Sequence, residues 1–186
     1  MTFEDVDATL ALESLDSPAQ IQAALTYRAE RLNVDSTIGL PRAVVERGET
    51  PITAQLRSEP LEADLSGTFN AGTGALNGAI EANGASLRRL LAWVGSPMAE
   101  GDGFGAYRVT GQMAREGETT ALTELALRID AIEANGALNL INQENGRLRI
   151  TGVLNAPTLD INPYLPEPAF PQDAIAVQPI GPEPIA

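Results

Sequence analysis

Residues 61–69 read LEADLSGTF and residues 74–82 read GALNGAIEA, so apolar side chains fall on alternate positions in both stretches. A period of two places every second side chain on the same side of a β-strand. Leu61, Leu65 and Phe69 therefore share one face in the first stretch, and the residues between them are mostly polar. We predict from this pattern a long, twisted, mainly antiparallel sheet with one apolar face.

The same alternation, usually with a glycine near the end of the run, recurs along much of the chain. It appears at residues 3–13, 21–29, 52–57, 107–113, 125–129 and 147–154. Leu32 and Val34 continue the second of these runs only after a one-residue shift of face, and the pattern shifts again near Asp130. We predict a bulge or bend at Asp130. The segment Glu144-Asn145-Gly146 is typical of a hairpin turn.

One short helix is predicted at residues 86–95. Ser86 is a good N-cap residue, and Gly95 followed by Pro97 ends the segment. Its apolar stripe consists of Leu87, Leu90, Leu91 and Val94. Because a helix this short is unstable alone, we expect it to pack on the apolar side of the sheet. Pro41 favours a further helical turn at residues 41–47.

The charge and composition of the chain exclude several classes of function. A net charge of -13 over 186 residues disfavours nucleic acid and anionic lipid headgroups. The absence of histidine and cysteine removes Ser-His and Cys-His catalysis, thiolate metal sites and the commonest metal ligand. The acidic pairs Glu62/Asp64 and Asp5/Asp7 are interpreted as solvated strand faces. We predict no enzymatic activity, no cofactor and no metal site.

The chain divides into a β-domain at residues 1–162 and a proline-rich stretch at residues 163–186, which is interpreted as a linker or disordered tail. No run reaches the roughly 18 apolar residues that a membrane-spanning helix requires.

Residues 84–165 resemble the AsmA family of bacterial envelope proteins. The resemblance lies in the order and spacing of several short segments. These are ASLRRLLAW at 85–93 with Gly95 and Pro97, GFG at 103–105, a strand with Gly111, the 130–140 segment with Asn135-Gly136, and 154–165 ending in LDINPYL.

The resemblance implies a fragment of a longer periplasmic protein that is anchored in the inner membrane. It implies a curved sheet that forms an open groove, similar to the grooves of TamB and of bridge-like lipid transfer proteins. The expected function is non-enzymatic: an apolar groove for phospholipid acyl chains, in lipid transport and outer-membrane biogenesis. Membrane contact would then come through parts of the parent protein that lie outside this sequence.

The candidate lipid-contact residues are the alternating apolar residues of four predicted strands. They are Leu61, Leu65, Phe69, Leu76, Ile80, Leu125, Leu127, Ile129, Leu148 and Ile150. Trp93 is interpreted as a buried anchor of the helix, and Arg88 and Arg89 as its solvated face. The alternative function is an interaction module that pairs its strands with neighbouring β segments or with outer-membrane proteins during their assembly.

Overall fold

A computed structural model of the chain describes residues 4–98, 103–143 and 148–158, apart from the side chain of Leu148. Ten strands and two short helices follow one another along the chain. They are β1 (Glu4–Ala11), β2 (Ala19–Tyr27), β3 (Glu30–Ile38), α1 (Pro41–Val45), β4 (Glu49–Arg57), β5 (Glu62–Asn70), β6 (Leu76–Gly84), α2 (Leu87–Val94), β7 (Tyr107–Glu116), β8 (Thr119–Ile129), β9 (Ile132–Asn142) and β10 (Leu148–Asn155).

All ten strands form one open antiparallel sheet, in which the spatial order is the order along the chain. Each strand pairs with the next, so every connection joins neighbours. The prediction of a mainly antiparallel β-fold is confirmed. The two helices lie at opposite ends of the strands, because α1 joins β3 to β4 and α2 joins β6 to β7.

The pairing of the strands brings the alternating apolar residues of neighbouring strands onto the same face of the sheet. Leu65 lies opposite Ala54 on one side and opposite Ile80 on the other. Residues directly opposite one another share a face. We call the face that carries Leu65 the apolar face, and the face that carries Ser66 the polar face. The row through Leu65 continues outward to Ile21 and Leu10.

Glycines on the apolar face bend the sheet. Gly67 and Gly78 lie opposite each other, and a Cβ on Gly67 would collide with the backbone carbonyl of Asn77. A Cβ on Gly136 would collide in the same way with the carbonyl of Val153. Such close backbone approach within a strand marks a tight bend. The sheet therefore curves, and its apolar side chains pack against one another without a second sheet.

A bulge in β8 keeps its apolar side chains on one face. The register with β9 shifts between Leu122 and Leu125, and Glu124 adopts a φ of 52°. Both leucines consequently lie on the apolar face, although they are separated by an odd number of positions. The alternation at 125–129 alone did not predict this bulge or the first half of β8.

The chain reverses at two positions where the sequence predicted continuation or a bend. Leu32 and Val34 do not continue β2; they belong to β3, which follows a tight turn at Arg28 and Ala29 with φ angles of 51° and 65°. Asp130, with a φ of 53°, begins the turn between β8 and β9. The two shifts of face in the sequence are therefore hairpins.

Both predicted helices are present. The Ser86 side chain accepts a hydrogen bond from the Arg89 amide at 3.2 Å, and Gly95 ends α2 with a φ of 93°. Pro41 stands at the start of α1. The pairing of β9 with β10 agrees with the hairpin prediction, although the turn residues 144–146 lie outside the described residues. The predicted tail at 163–186 also lies outside them.

Candidate functional site

The structure brings the candidate lipid-contact residues together on the apolar face. Those with described side chains follow β5, β6, β8 and β10, with Leu61 directly before β5. They are Leu61, Leu65, Phe69, Leu76, Ile80, Leu125, Leu127, Ile129 and Ile150. Leu148 begins β10 opposite Asn142, and its side chain is not described.

The apolar face is wider than the candidate set. The strand pairing places further apolar side chains on this face, which the sequence analysis did not include among the candidates. They include Ile21, Leu25, Leu32, Val34, Ile38, Ile52, Leu56, Val109, Leu122, Leu138 and Leu140. The alternation of these residues in the sequence could have indicated that they share the apolar face. It was not recognised, because β3 was not predicted and the bulge in β8 interrupts the alternation.

One end of the apolar face is closed. Leu32, Tyr107 and Ala134 keep only 7%, 5% and 6% of their surface exposed, and they lie near the strand ends that α2 crosses. Leu32, Tyr107 and Ala134 form the buried core of this end, which we call the α2 end. Leu125 is 3% exposed for a different reason: it lies in the cross-strand row of Leu65 and Ile80, beside Gly111, whose missing side chain leaves space for it.

Tyr107 is the polar centre of that core. Its hydroxyl donates a hydrogen bond to the Pro60 carbonyl at 2.8 Å. A Cβ on the facing Gly84 would collide with the tyrosine ring, so the ring needs glycine there. Burial raises the pKa of Tyr107 to about 12. The neutral phenol is therefore the form that this site stabilises.

Trp93 anchors α2 to the turn between β2 and β3. Its indole Nε1 donates to the Tyr27 carbonyl at 3.0 Å, and the two rings meet edge to face with centroids 5.6 Å apart. The Arg28 guanidinium donates to the Trp93 carbonyl at 2.7 Å. Trp93 is thus an anchor as predicted, although its side chain is only half-buried.

Arg89 is exposed, as the sequence-based interpretation expected, and Arg88 is half-buried, but both arginines also contact neighbouring residues. The Arg88 guanidinium lies 5.7 Å from the centroid of the Phe104 ring and donates to the Gly103 carbonyl at 2.9 Å. Arg89 forms ion pairs with Glu30, at 2.8 Å, and with Glu59. Both arginines consequently fasten the helix to the loops around it.

At the opposite end of the strands, α1 closes a smaller part of the apolar face. Thr50 is 1% exposed, and its hydroxyl accepts a hydrogen bond from the Leu40 amide at 2.8 Å. The Arg42 guanidinium donates to both carboxylate oxygens of Asp16, at 2.6 and 2.7 Å. These hydrogen bonds lower the pKa of Asp16 and tie α1 to the β1–β2 connection.

Between the two ends, the middle of the apolar face stays partly open. Ala54, Leu65 and Ile80 are half-buried although they lie on central strands. Within the described residues both helices sit at the strand ends, so curvature alone encloses this middle. We call this region the open middle; it forms an apolar groove between two covered ends.

The polar face carries ion pairs between neighbouring strands. Arg57 pairs with Asp64 at 2.7 Å, and Arg108 pairs with Glu81 at 2.6 Å. An open concavity of 530 Å³ lies on this face, lined by residues such as Gln55, Ser66, Thr110 and Gln112. Within the parts of the chain that the structure describes, no group of three or more acidic side chains is arranged to hold a metal ion.

Comparison with known proteins yields no relative: no family model, no curated protein and no solved structure matches the chain. Among the described residues, neither helix has the length and apolarity needed to cross a membrane.

Proposed function

We propose that this chain is a non-enzymatic segment of an AsmA-like envelope protein, and that its apolar groove holds phospholipid acyl chains. The observation that carries the proposal is the open middle: an apolar surface on the central strands of a single-layer sheet, with Leu65 and Ile80 only half-buried. Ordinary sheets bury such a face against a second layer.

The dimensions of the groove fit hydrocarbon chains. Ten strands spaced about 4.8 Å apart make the apolar face roughly 40 Å long. An acyl chain spans about half of a bilayer core of roughly 30 Å, so one chain can lie across several strands. Each methylene removed from water contributes about 0.8 kcal/mol, which makes chain length the main determinant of affinity.

We expect weak preference for the headgroup. Near α2 the positive charges of Arg28 and Arg89 already bind protein groups, namely the Trp93 carbonyl, Glu30 and Glu59. The net charge of -13 also disfavours attraction of anionic headgroups. Recognition would therefore depend on the hydrocarbon.

The cellular setting rests on the sequence resemblance. We propose that the parent protein lies in the periplasm, is anchored in the inner membrane and takes part in lipid transport and outer-membrane biogenesis. An open sheet in which every strand pairs with its sequence neighbour is the architecture that a groove of this kind requires.

A photo-crosslinking amino acid at Leu65 tests the proposal directly. The matched control is the same amino acid at Ser66, the next residue on β5, which faces the opposite side of the sheet. After expression in a bacterial envelope and irradiation, mass spectrometry should find phospholipid adducts at position 65. Position 66 should give at least about tenfold less, since it faces water.

Equal labelling at both positions, or none at either, would overturn the groove proposal. A second pair, Ile80 and Ala79 on β6, repeats the comparison on the neighbouring strand. Native mass spectrometry of the unmodified protein gives the stoichiometry of any lipid that copurifies.

The second candidate function is an interaction module that pairs with outer-membrane proteins or neighbouring β segments. It is favoured by the exposed apolar side chains of the outermost strands, with Leu10 62% and Ile150 58% exposed. In that case protein adducts, and not lipid adducts, should appear when the photo-crosslinker is placed at those two positions.

A further inference from the structure

The two outermost strands expose apolar side chains that inner strands cover. Val6 and Leu10 of β1 are 61% and 62% exposed, and Ile150 and Leu154 of β10 are 58% and 42% exposed. In the described part of the chain, neither strand has a partner on its outer side. A strand edge of this kind presents unpaired backbone N–H and C=O groups to another strand.

The topology makes these two edges complementary to each other. Because the ten strands alternate in direction, β1 and β10 run in opposite directions within one copy. When two sheets lie side by side with their apolar faces on the same side, β10 of one copy runs antiparallel to β1 of the next. Pairing Ile150 with Leu10 and Leu154 with Val6 keeps all four side chains on the apolar face.

The charges of the two edges favour this pairing over the pairing of two β1 strands. β1 carries Glu4, Asp5 and Asp7 and no cation, whereas β10 carries Arg149 and no carboxylate. Two β1 strands would bring six carboxylates together, and like charges across a strand pair are destabilising. Pairing β1 with β10 avoids this repulsion, because β10 carries no carboxylate.

We propose that a second copy of this chain docks head to tail, β10 against β1, and continues the antiparallel sheet. The contact begins at the regular half of β1, because the register irregularity between Glu4 and Asp7 distorts the other half. Such an interface does not close on itself, so it generates open chains of copies. The apolar groove then runs without interruption from one copy to the next.

Engineered cysteines test the contact cleanly, because the natural chain contains no cysteine. In the proposed register Thr9 of one copy lies opposite Thr151 of the next. A mixture of the single variants Thr9→Cys and Thr151→Cys should form disulfide-linked heterodimers under mild oxidation. Each variant alone should give at least about tenfold less dimer, since neither edge pairs with itself.

The control is a mixture of Gln55→Cys and Thr110→Cys, which places both thiols on the polar face of central strands. Dimer formation at the level of this control would overturn the proposal. Preferential linkage of Thr9→Cys to itself would also overturn it, since it would show pairing of two β1 edges.

Sedimentation velocity gives an independent measurement that needs no cysteine. The natural protein should show association that increases with concentration, and Leu10→Lys should reduce it at least about tenfold, because an inward charge on an edge strand blocks pairing. Gln22→Lys is the control, on the polar face of β2 and away from the edge, and should keep association. A natural protein that stays monomeric at every concentration would contradict the inference, whichever variants fold. Lipid uptake by that monomer would leave the proposed groove intact.

Discussion

The α2 end and the open middle of the apolar face carry the same kinds of side chain and differ in what covers them. Tyr107 at the α2 end is 5% exposed, whereas Leu65 in the open middle is only half-buried. The α2 end is held by directed contacts from Trp93, Arg89 and Tyr107. Among the described residues, no helix covers the middle. The comparison teaches that the contacts that stabilise the fold and the surface proposed to bind lie in different parts of one face.

The largest effect is expected from changing the curvature itself. In Gly67→Val the new side chain would collide with the backbone carbonyl of Asn77, so the β5–β6 pair must separate or flatten. We expect a loss of more than about 3 kcal/mol in the free energy of unfolding, at the upper end of overpacking effects. Denaturant titration measures it. Ala79→Val, which adds bulk to the polar face of β6, is the control and should stay within about 0.5 kcal/mol.

Truncating one leucine in each region tests the comparison directly. Leu32→Ala should cost about 3 kcal/mol, since it leaves a cavity at the covered end. Leu65→Ala should cost about 1 kcal/mol, because its side chain is already partly hydrated and little cavity forms. Equal losses in denaturant titration would show that the open middle is packed as tightly as the α2 end.

The sequence predicted the positions of the strands better than it predicted which part of the apolar face is covered. Alternating residues located β5, β6, β7 and β10, because a period of two survives whatever covers the sheet. It missed β3, because the turn at Arg28 and Ala29 adopts positive φ angles without the glycine or asparagine that usually marks such a turn.

The burial of individual apolar residues could not be predicted at all. Leu125 and Leu127 are two positions apart on the same face, yet only Leu125 is fully buried. The difference comes from neighbours far along the chain, such as Gly111, whose missing side chain leaves space that Leu125 fills. Local alternation therefore predicted the candidate face, and three-dimensional packing determined which part of it stays open.

Raising the pH should loosen the α2 end selectively. The chain has no lysine, so tyrosines are the side chains that ordinarily titrate between about pH 9 and 12. The pKa of Tyr107 is about 12 in the folded protein, above the value near 10 of an unfolded chain. The stabilisation that comes from keeping Tyr107 neutral is complete below pH 10. As the pH rises from about 10 to 12, the free energy of unfolding should fall by about 2 to 3 kcal/mol.

Tyr107→Phe separates this titration from the hydrogen bond. The variant should lose about 1 to 2 kcal/mol at neutral pH, because the buried Pro60 carbonyl loses its donor. Its stability should then fall much less between pH 10 and 12 than that of the natural protein. Denaturant titrations at both pH values measure the two effects, and the ultraviolet absorbance of tyrosinate follows the ionisation. Parallel pH profiles for the two proteins would assign the alkaline loss to another group.

The smallest effect is expected from removing the exposed ion pairs that connect α2 to Glu30 and Glu59. In Arg89→Gln the ion pairs with Glu30 and Glu59 are lost, but the Arg89 side chain is 46% exposed and such pairs contribute less than about 1 kcal/mol. Added salt should lower the free energy of unfolding of the natural protein toward that of the variant, since salt screens the same ion pairs. Amide exchange in α2 should quicken while exchange in the central strands stays unchanged. Faster exchange in β5 and β6 as well would show that the helix also supports the open middle, and the two regions would then form one cooperative unit.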